Sequence, residues 1–144
     1  MTDADIQPLL RKAVQDSDAV AMREAVERLF AHGTPDALSP DAEYRLRHEN
    51  YVMEMPQSAE RIRGREAMRA MQEAYPTPPS ITVRRVVGAG QLWLIEGLND
   101  YDGDRWHTVL ILELDPDGRV LRDTRYYAKP FDPPSWRAPW VEQM

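Results

Sequence analysis

Cysteine is absent from this sequence of 144 residues. Its absence excludes a disulfide framework, a thiol nucleophile and any metal site built from thiolates. Long apolar runs are absent as well, and the acidic start of the chain lacks the basic and apolar regions of a signal peptide. These absences predict a cytoplasmic protein that has no membrane partner.

An excess of basic residues is also missing. The chain has 18 lysines and arginines against 24 aspartates and glutamates, which gives a formal net charge of −6. Because non-specific nucleic-acid binding needs a basic surface, we expect no nucleic-acid partner. The histidines have no ligand spacing, and His32 and His48 beside predicted helix ends receive no role. With no phosphate-binding loop or dinucleotide fingerprint either, we predict neither a metal nor a cofactor.

The residues that are present indicate a globular chain that begins with helices. A composition of 42% hydrophobic and 29% charged residues is typical of such proteins, and the length predicts one domain over residues 1–144. Apolar residues at helical spacing predict helical segments at four places: 6–14, 22–30, 40–47 and 65–74. The first two form either one helix or two helices broken near 16–18. Ser39 followed by Pro40 is an N-cap signal. The inner face of the last helix would hold Met68, Met71 and Tyr75.

Strands follow the helices. Segments rich in β-branched, aromatic and leucine residues predict five strands: 51–55, 81–87, 91–101, 105–114 and 119–129. The pairs Asp102-Gly103 and Asp117-Gly118 are hairpin turns, and helices followed by an antiparallel meander indicate an α+β fold. The proline-rich tail 130–144 is predicted to lie extended on the domain or on a dimer partner. Its residues Trp136 and Trp140 would then be buried.

Two-residue turns at both hairpins would fix which side chains share a face of the sheet. Gly97 would lie opposite Thr108, and Leu110 opposite Arg125. One face would then carry Trp93, Ile95, Gly97, Asn99, Trp106, Thr108, Leu110, Leu112, Asp123, Arg125 and Tyr127. A three-residue loop at the second turn would instead slip the register and place His107 beside Tyr127, so His107 stays a candidate.

The opposite face of the sheet is apolar as well. It would hold Leu92, Leu94, Leu98, Val109 and Ile111. Because both faces carry large apolar residues, we expect helices to cover one face and a second subunit to cover the other, as a homodimer.

An acid, a guanidinium and a phenol occupy alternate positions of the last strand, at Asp123, Arg125 and Tyr127, and so point to one side of the sheet. Polar groups at an apolar core cost free energy unless they pair with one another or bind something polar. The pattern therefore indicates either an internal ion pair or a ligand pocket.

Two sequence elements carry a resemblance to a known family. The segment 54–56 (EMP) is followed by 62–68 (IRGREAM) and by long hairpins with Asp-Gly turns. In these elements residues 17–129 resemble the nuclear transport factor 2-like superfamily, which includes ketosteroid isomerases, limonene epoxide hydrolase and SnoaL-type polyketide cyclases. The resemblance implies a cone-shaped, curved antiparallel sheet wrapped around N-terminal helices, also called cystatin-like. It further implies an apolar pocket and a dimer through the outer face of the sheet.

The chain departs from the family's catalytic patterns. Met55 stands where ketosteroid isomerases have their aspartate base, and Leu110 stands near the position of their acidic oxyanion donor. Neither side chain can transfer a proton. Where SnoaL-type cyclases place an acid on the last strand, this chain has Arg125, with Asp123 two residues earlier. The resemblance therefore implies the fold more strongly than the chemistry.

We predict a cofactor-free enzyme of the cyclase or isomerase type that acts on a small, apolar, oxygenated molecule of polyketide or terpenoid kind. Asp123 would be the acid or base, Arg125 the oxyanion partner and Tyr127 a hydrogen-bond donor, with His107 as the next candidate. The pocket walls would comprise Trp93, Trp106, Met55, Thr108, Leu110 and Tyr51.

The first alternative is a non-catalytic protein with the same pocket that binds such a molecule or serves as an accessory subunit. The second is a protein-interaction module that uses the tryptophan-rich tail. One observation discriminates between enzyme and binder: a closed Asp123–Arg125 pair, with no other titratable side chain at the cavity, would rule against the enzyme.

Overall fold

The computed structural model of this protein describes residues 6–75 and 78–144, so the acidic start of the chain lies outside the described residues. Four α-helices are present: α1 Ile6–Asp16, α2 Ala19–Leu29, α3 Pro40–Leu46 and α4 Arg65–Ala74. Ser17 has a positive φ of 51°, which breaks the N-terminal segment into two helices. Asp18 then caps α2 by accepting a hydrogen bond of 3.0 Å from the backbone N–H of Ala21. The N-cap predicted at Ser39 is confirmed, since its hydroxyl accepts from Ala42 at 3.1 Å.

A single curved, unclosed sheet follows the N-terminal helices. Its six strands are β1 Arg47–Met55, β2 Glu60–Arg63, β3 Ser80–Ala89, β4 Leu92–Tyr101, β5 Asp104–Leu114 and β6 Val120–Ala128. They are arranged in the order β2-β1-β6-β5-β4-β3. The predicted α+β fold is confirmed.

Two details of the sheet differ from the prediction. Strand β2 was not expected, because its short, charged sequence has no alternating apolar pattern. The pairing of β1 with β6 is parallel rather than antiparallel, and it joins strands that are distant in the chain.

The tighter of the two registers is the one observed, but the second turn is the three-residue loop and not the two-residue turn. The N–H of Asp115 donates to the carbonyl of Arg119, and a bulge between Glu113 and Leu114 restores the register. Gly97 pairs with Thr108, and Leu110 pairs with Arg125. Asp123, Arg125 and Tyr127 therefore share the inner face of the sheet. His107 pairs with Ala128 and is exposed on the outer face, so the alternative that placed it beside Tyr127 is wrong.

The core lies between the inner face of the sheet and the helices. Its largest fully buried side chains include Trp93, Tyr51, Ile6, Met22, Met53 and Met68. On α4 the predicted inner face is corrected in part: Met68 is buried, whereas Met71 and Tyr75 are partly exposed. Within the described residues, none of the helices is long and apolar enough to cross a membrane.

The C-terminal tail is not extended along its whole length, contrary to the prediction. Ser135–Trp140 forms a short 3₁₀ helix. Trp136 and Trp140 remain 73% and 79% exposed, so the protomer's own sheet and pocket mouth do not cover them. Of the predicted locations for these two indoles, only the dimer partner is left.

Candidate functional site

A cavity of about 490 Å³ lies between the helices and the inner face of the sheet. Its volume is within the range of small-molecule binding sites. All four helices and five of the strands contribute to its wall. Much of the lining is apolar and includes Phe30, Leu46, Met53, Met55, Met68 and Leu110. Besides Asn99 with Tyr101 and Arg69 with Glu73, the polar side chains at the cavity include three clusters.

The first cluster centres on Asp123, which is 5% exposed. Arg125 donates to its carboxylate from Nη2 at 2.6 Å and from Nε at 3.0 Å. The hydroxyl of Tyr51 donates to Oδ2 at 3.1 Å. Both carboxylate oxygens therefore already accept hydrogen bonds, and the acid and the guanidinium are in direct contact with no space for a ligand between them.

Burial and the opposing charges decide the protonation states in this cluster. Burial alone would lower the pKa of Arg125, but the charge of Asp123 outweighs it and raises that pKa above its ordinary value. Burial, and then the negative charge of Asp123, raise the pKa of the Tyr51 hydroxyl far above its ordinary range. Tyr51 is therefore neutral and Arg125 is charged at any physiological pH.

The second cluster is a pair of residues, His32 and Glu43. Glu43 on α3 is 6% exposed, and its Oε1 lies 2.8 Å from Nε2 of His32. The carboxylate can only accept, so the hydrogen of this bond belongs to Nε2. The other oxygen of Glu43, Oε2, has no hydrogen bond to a described residue and is not sealed from solvent. Both residues border the cavity, so this oxygen is available to a molecule bound there.

The third cluster contains Arg47, the first residue of β1, which is 7% exposed. Its Nη1 donates to Oε1 of Gln72 at 3.2 Å, and its guanidinium carbon lies 5.3 Å from the centre of the Tyr51 ring. No carboxylate of the described residues forms an ion pair with it. The same part of the chain holds no group of histidine and acidic side chains suited to a metal ion.

The predicted site residues divide into those at the cavity and those away from it. Asp123, Arg125, Tyr127, Tyr51, Met55 and Leu110 border it. Thr108 borders a smaller space of about 50 Å³ that shares Arg125 and Tyr127 with the main cavity.

The predicted walls at Trp93 and Trp106 are corrected, because neither indole borders the cavity. Trp93 is fully buried and donates to the carbonyl of Gly90 at 2.8 Å. Trp106 donates to the carboxylate of Asp104 near the hairpin, and the ammonium group of Lys129 lies over its ring.

The polar cavity residues that sequence reasoning missed include Glu43, His32 and Arg47. A signal existed for Glu43, which lies three residues before Leu46 and so shares the apolar stripe of α3. Arg47 lies an even number of residues before Tyr51 and Met53, so strand alternation would place it on the same inward face. A register shift between Arg47 and Val52 makes that alternation hard to extend from the sequence. His32 lies in a loop, where neither kind of periodicity applies.

No protein-family model matches the chain, and no curated protein matches it. Solved structures do match. A crystal structure of an NTF-2-like protein of unknown function from Burkholderia xenovorans LB400 is 35% identical, with 85% of this chain and 94% of that chain covered and a TM-score of 0.71. A putative ketosteroid isomerase from Kribbella flavida DSM 17836 is 25% identical, with 100% and 93% covered and a TM-score of 0.71.

A steroid delta-isomerase from Pseudomonas aeruginosa has the same fold at 16% identity, with 76% of this chain and 78% of that chain covered and a TM-score of 0.59. Most of the similar structures belong to proteins of unknown function. The comparisons therefore support an isomerase-type fold and no specific activity.

Proposed function

This chain belongs to the nuclear transport factor 2-like superfamily, and we propose that it is a cofactor-free enzyme of the isomerase or cyclase type. Its substrate would be a small, apolar, oxygenated molecule, of the size and kind of a polyketide or terpenoid intermediate. The cavity of about 490 Å³ has room for such a molecule, and its apolar wall would exclude water from the reacting atoms.

The observation that carries the proposal is the accessible carboxylate of Glu43 in a mainly apolar cavity. The Asp123–Arg125 pair is closed, which by itself favours a non-catalytic binder. The enzyme would be ruled out only if no other titratable side chain lay at the cavity. Glu43 does lie there, and one of its oxygens has no hydrogen bond to a described residue. A positioned carboxylate with a free oxygen is able to take a proton from a bound ligand.

The roles in such a reaction follow from these contacts. Glu43 would remove a proton from carbon next to a carbonyl group, and His32 would hold the carboxylate in place as a positioning residue. The negative charge that develops on the carbonyl oxygen would be stabilised by the hydroxyl of Tyr127 and the guanidinium of Arg125. Return of the proton from Glu43 to a different carbon of the delocalised anion gives isomerisation. Attack of the carbanion on a second carbonyl, whose oxygen then takes the proton from Glu43, gives cyclisation.

Asp123 stays the alternative base. Its carboxylate already accepts hydrogen bonds from Arg125 and Tyr51, so it would have to give up one of them to take a proton. Glu43 is therefore the better candidate for the transfer, and Asp123 the better candidate for orienting Arg125.

The test measures proton abstraction itself, so it does not depend on the identity of the product. The protein is incubated in D₂O with bicyclic ketones such as 2-tetralone, and deuterium incorporation beside the carbonyl is followed by NMR. We expect exchange above the buffer rate, lowered about 10²-fold or more in Glu43→Gln. Asp123→Asn reports on the alternative base, and Glu49→Gln, an exposed carboxylate on β1, is the charge-matched control.

Full exchange activity in a folded Glu43→Gln protein would remove Glu43 from the mechanism. Binding of the ketones without any exchange would favour the runner-up, a non-catalytic protein that binds such molecules in the same cavity.

A further inference from the structure

Three arginines border the cavity, and they differ in how their charge is compensated. Arg125 contacts Asp123, and Arg69 contacts Asp41 at 2.8 Å and Glu73 at 3.1 Å. Arg47 has no ion pair with any described residue, although it is only 7% exposed. Its only side-chain hydrogen bond there is to a neutral amide, at 3.2 Å. A guanidinium that is taken out of water without a counter-ion is costly, and a protein therefore rarely retains one without a use for it.

The geometry leaves one edge of this guanidinium open. Nη1 is used by Gln72, while Nε and Nη2 have no partner among the described residues. Both nitrogens also keep some contact with solvent. The Nε/Nη2 edge is one that binds both oxygens of a carboxylate side by side. Arg125 shows this arrangement inside the same protein, where Nε and Nη2 both donate to Asp123.

We propose that Arg47 is the anchor for a carboxylate group on the ligand, so that the natural ligand is an apolar organic acid. The Tyr51 ring, 5.3 Å from the guanidinium carbon, and Gln72 hold the guanidinium in place. A phosphate carries up to two charges and would need a second free cation, whereas the other two arginines at the cavity are already paired. The carboxylate therefore matches the single open charge.

This inference rests on the proposed function in one respect, namely that the ligand binds in the same cavity. It does not require that the protein catalyses a reaction. The ligand's acid group would lie at Arg47, at the start of β1, and its apolar body would contact the methionines and leucines of the cavity. Proton transfer at Glu43 is a separate event, measured by deuterium exchange, and its failure would leave the carboxylate anchor unaffected.

The test compares acids with neutral molecules of the same shape. Binding of 2-naphthoate and 2-naphthamide, and of the smaller benzoate and benzamide, is measured by calorimetry at pH 7. We expect the wild type to bind the acid about 10- to 100-fold more tightly than the matching amide, as for a hydrogen-bonded charge pair. Arg47→Gln should abolish this preference and leave the affinity for the amide unchanged within about threefold.

Arg63→Gln is the matched control, because it removes the same charge from an exposed position on β2 and should keep the preference. The proposal is overturned if no carboxylate binds the wild type, if acid and amide bind equally, or if a folded Arg47→Gln protein keeps the preference.

A second measurement needs no stable Gln variant. In the wild type, naphthoate should shift one arginine Nε–Hε NMR signal that naphthamide leaves in place, and Arg47→Lys should assign that signal. A shift confined to a signal that persists in Arg47→Lys would contradict the proposal.

Discussion

At the scale of single residues, the polar groups of the cavity are satisfied to different degrees. Asp123 accepts hydrogen bonds on both oxygens, whereas Glu43 keeps one oxygen free and Arg47 keeps an open edge. Polar atoms of side chains that are mostly buried are normally hydrogen-bonded, so the open positions of Glu43 and Arg47 need an explanation. Local departures from that rule are expected where a protein binds its ligand. Glu43 and Arg47 therefore have capacity for a ligand, whereas Asp123 and Arg125 satisfy each other.

The Tyr51 hydroxyl allows a prediction on stability. Tyr51→Phe removes the hydrogen bond to Asp123 and should lower the free energy of unfolding by about 1 kcal/mol at pH 7. In the folded protein, burial and then the charge of Asp123 raise the pKa of Tyr51 above its ordinary value of 10.0. The unfolded chain therefore loses this proton first, and the contribution of the hydroxyl is complete below about pH 10 and is lost above it.

The difference between wild type and Tyr51→Phe should consequently shrink above pH 10, by up to about 1.4 kcal/mol per pH unit. Urea unfolding of both proteins between pH 7 and pH 11 measures it. A difference that stays constant over this range would show that the Tyr51 proton is not linked to folding.

At the scale of the elements, the turn between β5 and β6 supports helix α1. Gly118 has a φ of +83°, and a Cβ there would lie 2.7 Å from backbone atoms of Leu10 and Arg11. Gln7 donates to the carbonyl of Asp117 at 2.7 Å, which also joins the helix to this turn. Helix α1 thus packs directly against Gly118. Glycine is required there both by the positive φ of the turn and by the short distance to the helix backbone.

Gly118 and Gly103 form a matched pair for a prediction. Both have a positive φ in a hairpin turn, but a Cβ at Gly103 would meet nothing within 4 Å. Gly103→Ala should therefore cost only the conformational strain of about 1 kcal/mol. Gly118→Ala should cost roughly 1–3 kcal/mol more, because α1 must move. Urea unfolding at pH 7 measures both, and equal losses would show that α1 does not depend on this contact.

The sequence could predict those elements whose signals are local. Ser39-Pro40 marked the start of α3, and Asp102-Gly103 set the register of β4 and β5. The register that brings Asp123 and Arg125 to the inner face depends also on a bulge beside the second turn, for which the sequence has no clear signal. The parallel pairing of β1 with β6 has no local signal, because the strands are distant in the chain.

The same limit explains the residues that were missed. Arg47, Glu43 and His32 come from a strand, a helix and a loop, and only the packing of α3 and β1 against one cavity brings them together. An alternating pattern within one strand, as for Asp123, Arg125 and Tyr127, is visible in the sequence. A site assembled from several elements is not.

At the scale of the whole molecule, no described residue of the single chain fully covers the outer face of the sheet. Val87, Leu92 and Tyr126 are 47%, 56% and 40% exposed there. Ion pairs such as Glu96 with Arg85, and Glu54 with Arg61, also lie on this face. A face of mixed apolar and paired charged residues suits an interface with a second copy of the chain. We therefore propose the homodimer that the sequence predicted.

Leu92→Lys tests the dimer. Because the side chain of Leu92 is already 56% exposed, the substitution should leave the folded protomer intact. A lysine at the interface would have to be desolvated without a partner, so the dimer should dissociate. Light scattering at micromolar concentration should give the dimer mass for the wild type and the monomer mass for the variant. A wild type of monomer mass would contradict the proposed dimer.

The tail gives the last prediction. Trp136 and Trp140 are 73% and 79% exposed on a 3₁₀ helix that the protomer does not cover. Two indoles on an ordered segment are a large apolar surface to leave in water, and we propose that the partner subunit covers them. Deletion of the residues after Asp132 should then lower the melting temperature by several degrees, with a loss that depends on protein concentration because it acts through dimerisation. Trp136→Ala with Trp140→Ala is the matched variant, since it keeps the chain length and should have the same effect. If the deletion leaves both the melting temperature and the mass in solution unchanged, the tail has no part in the assembly.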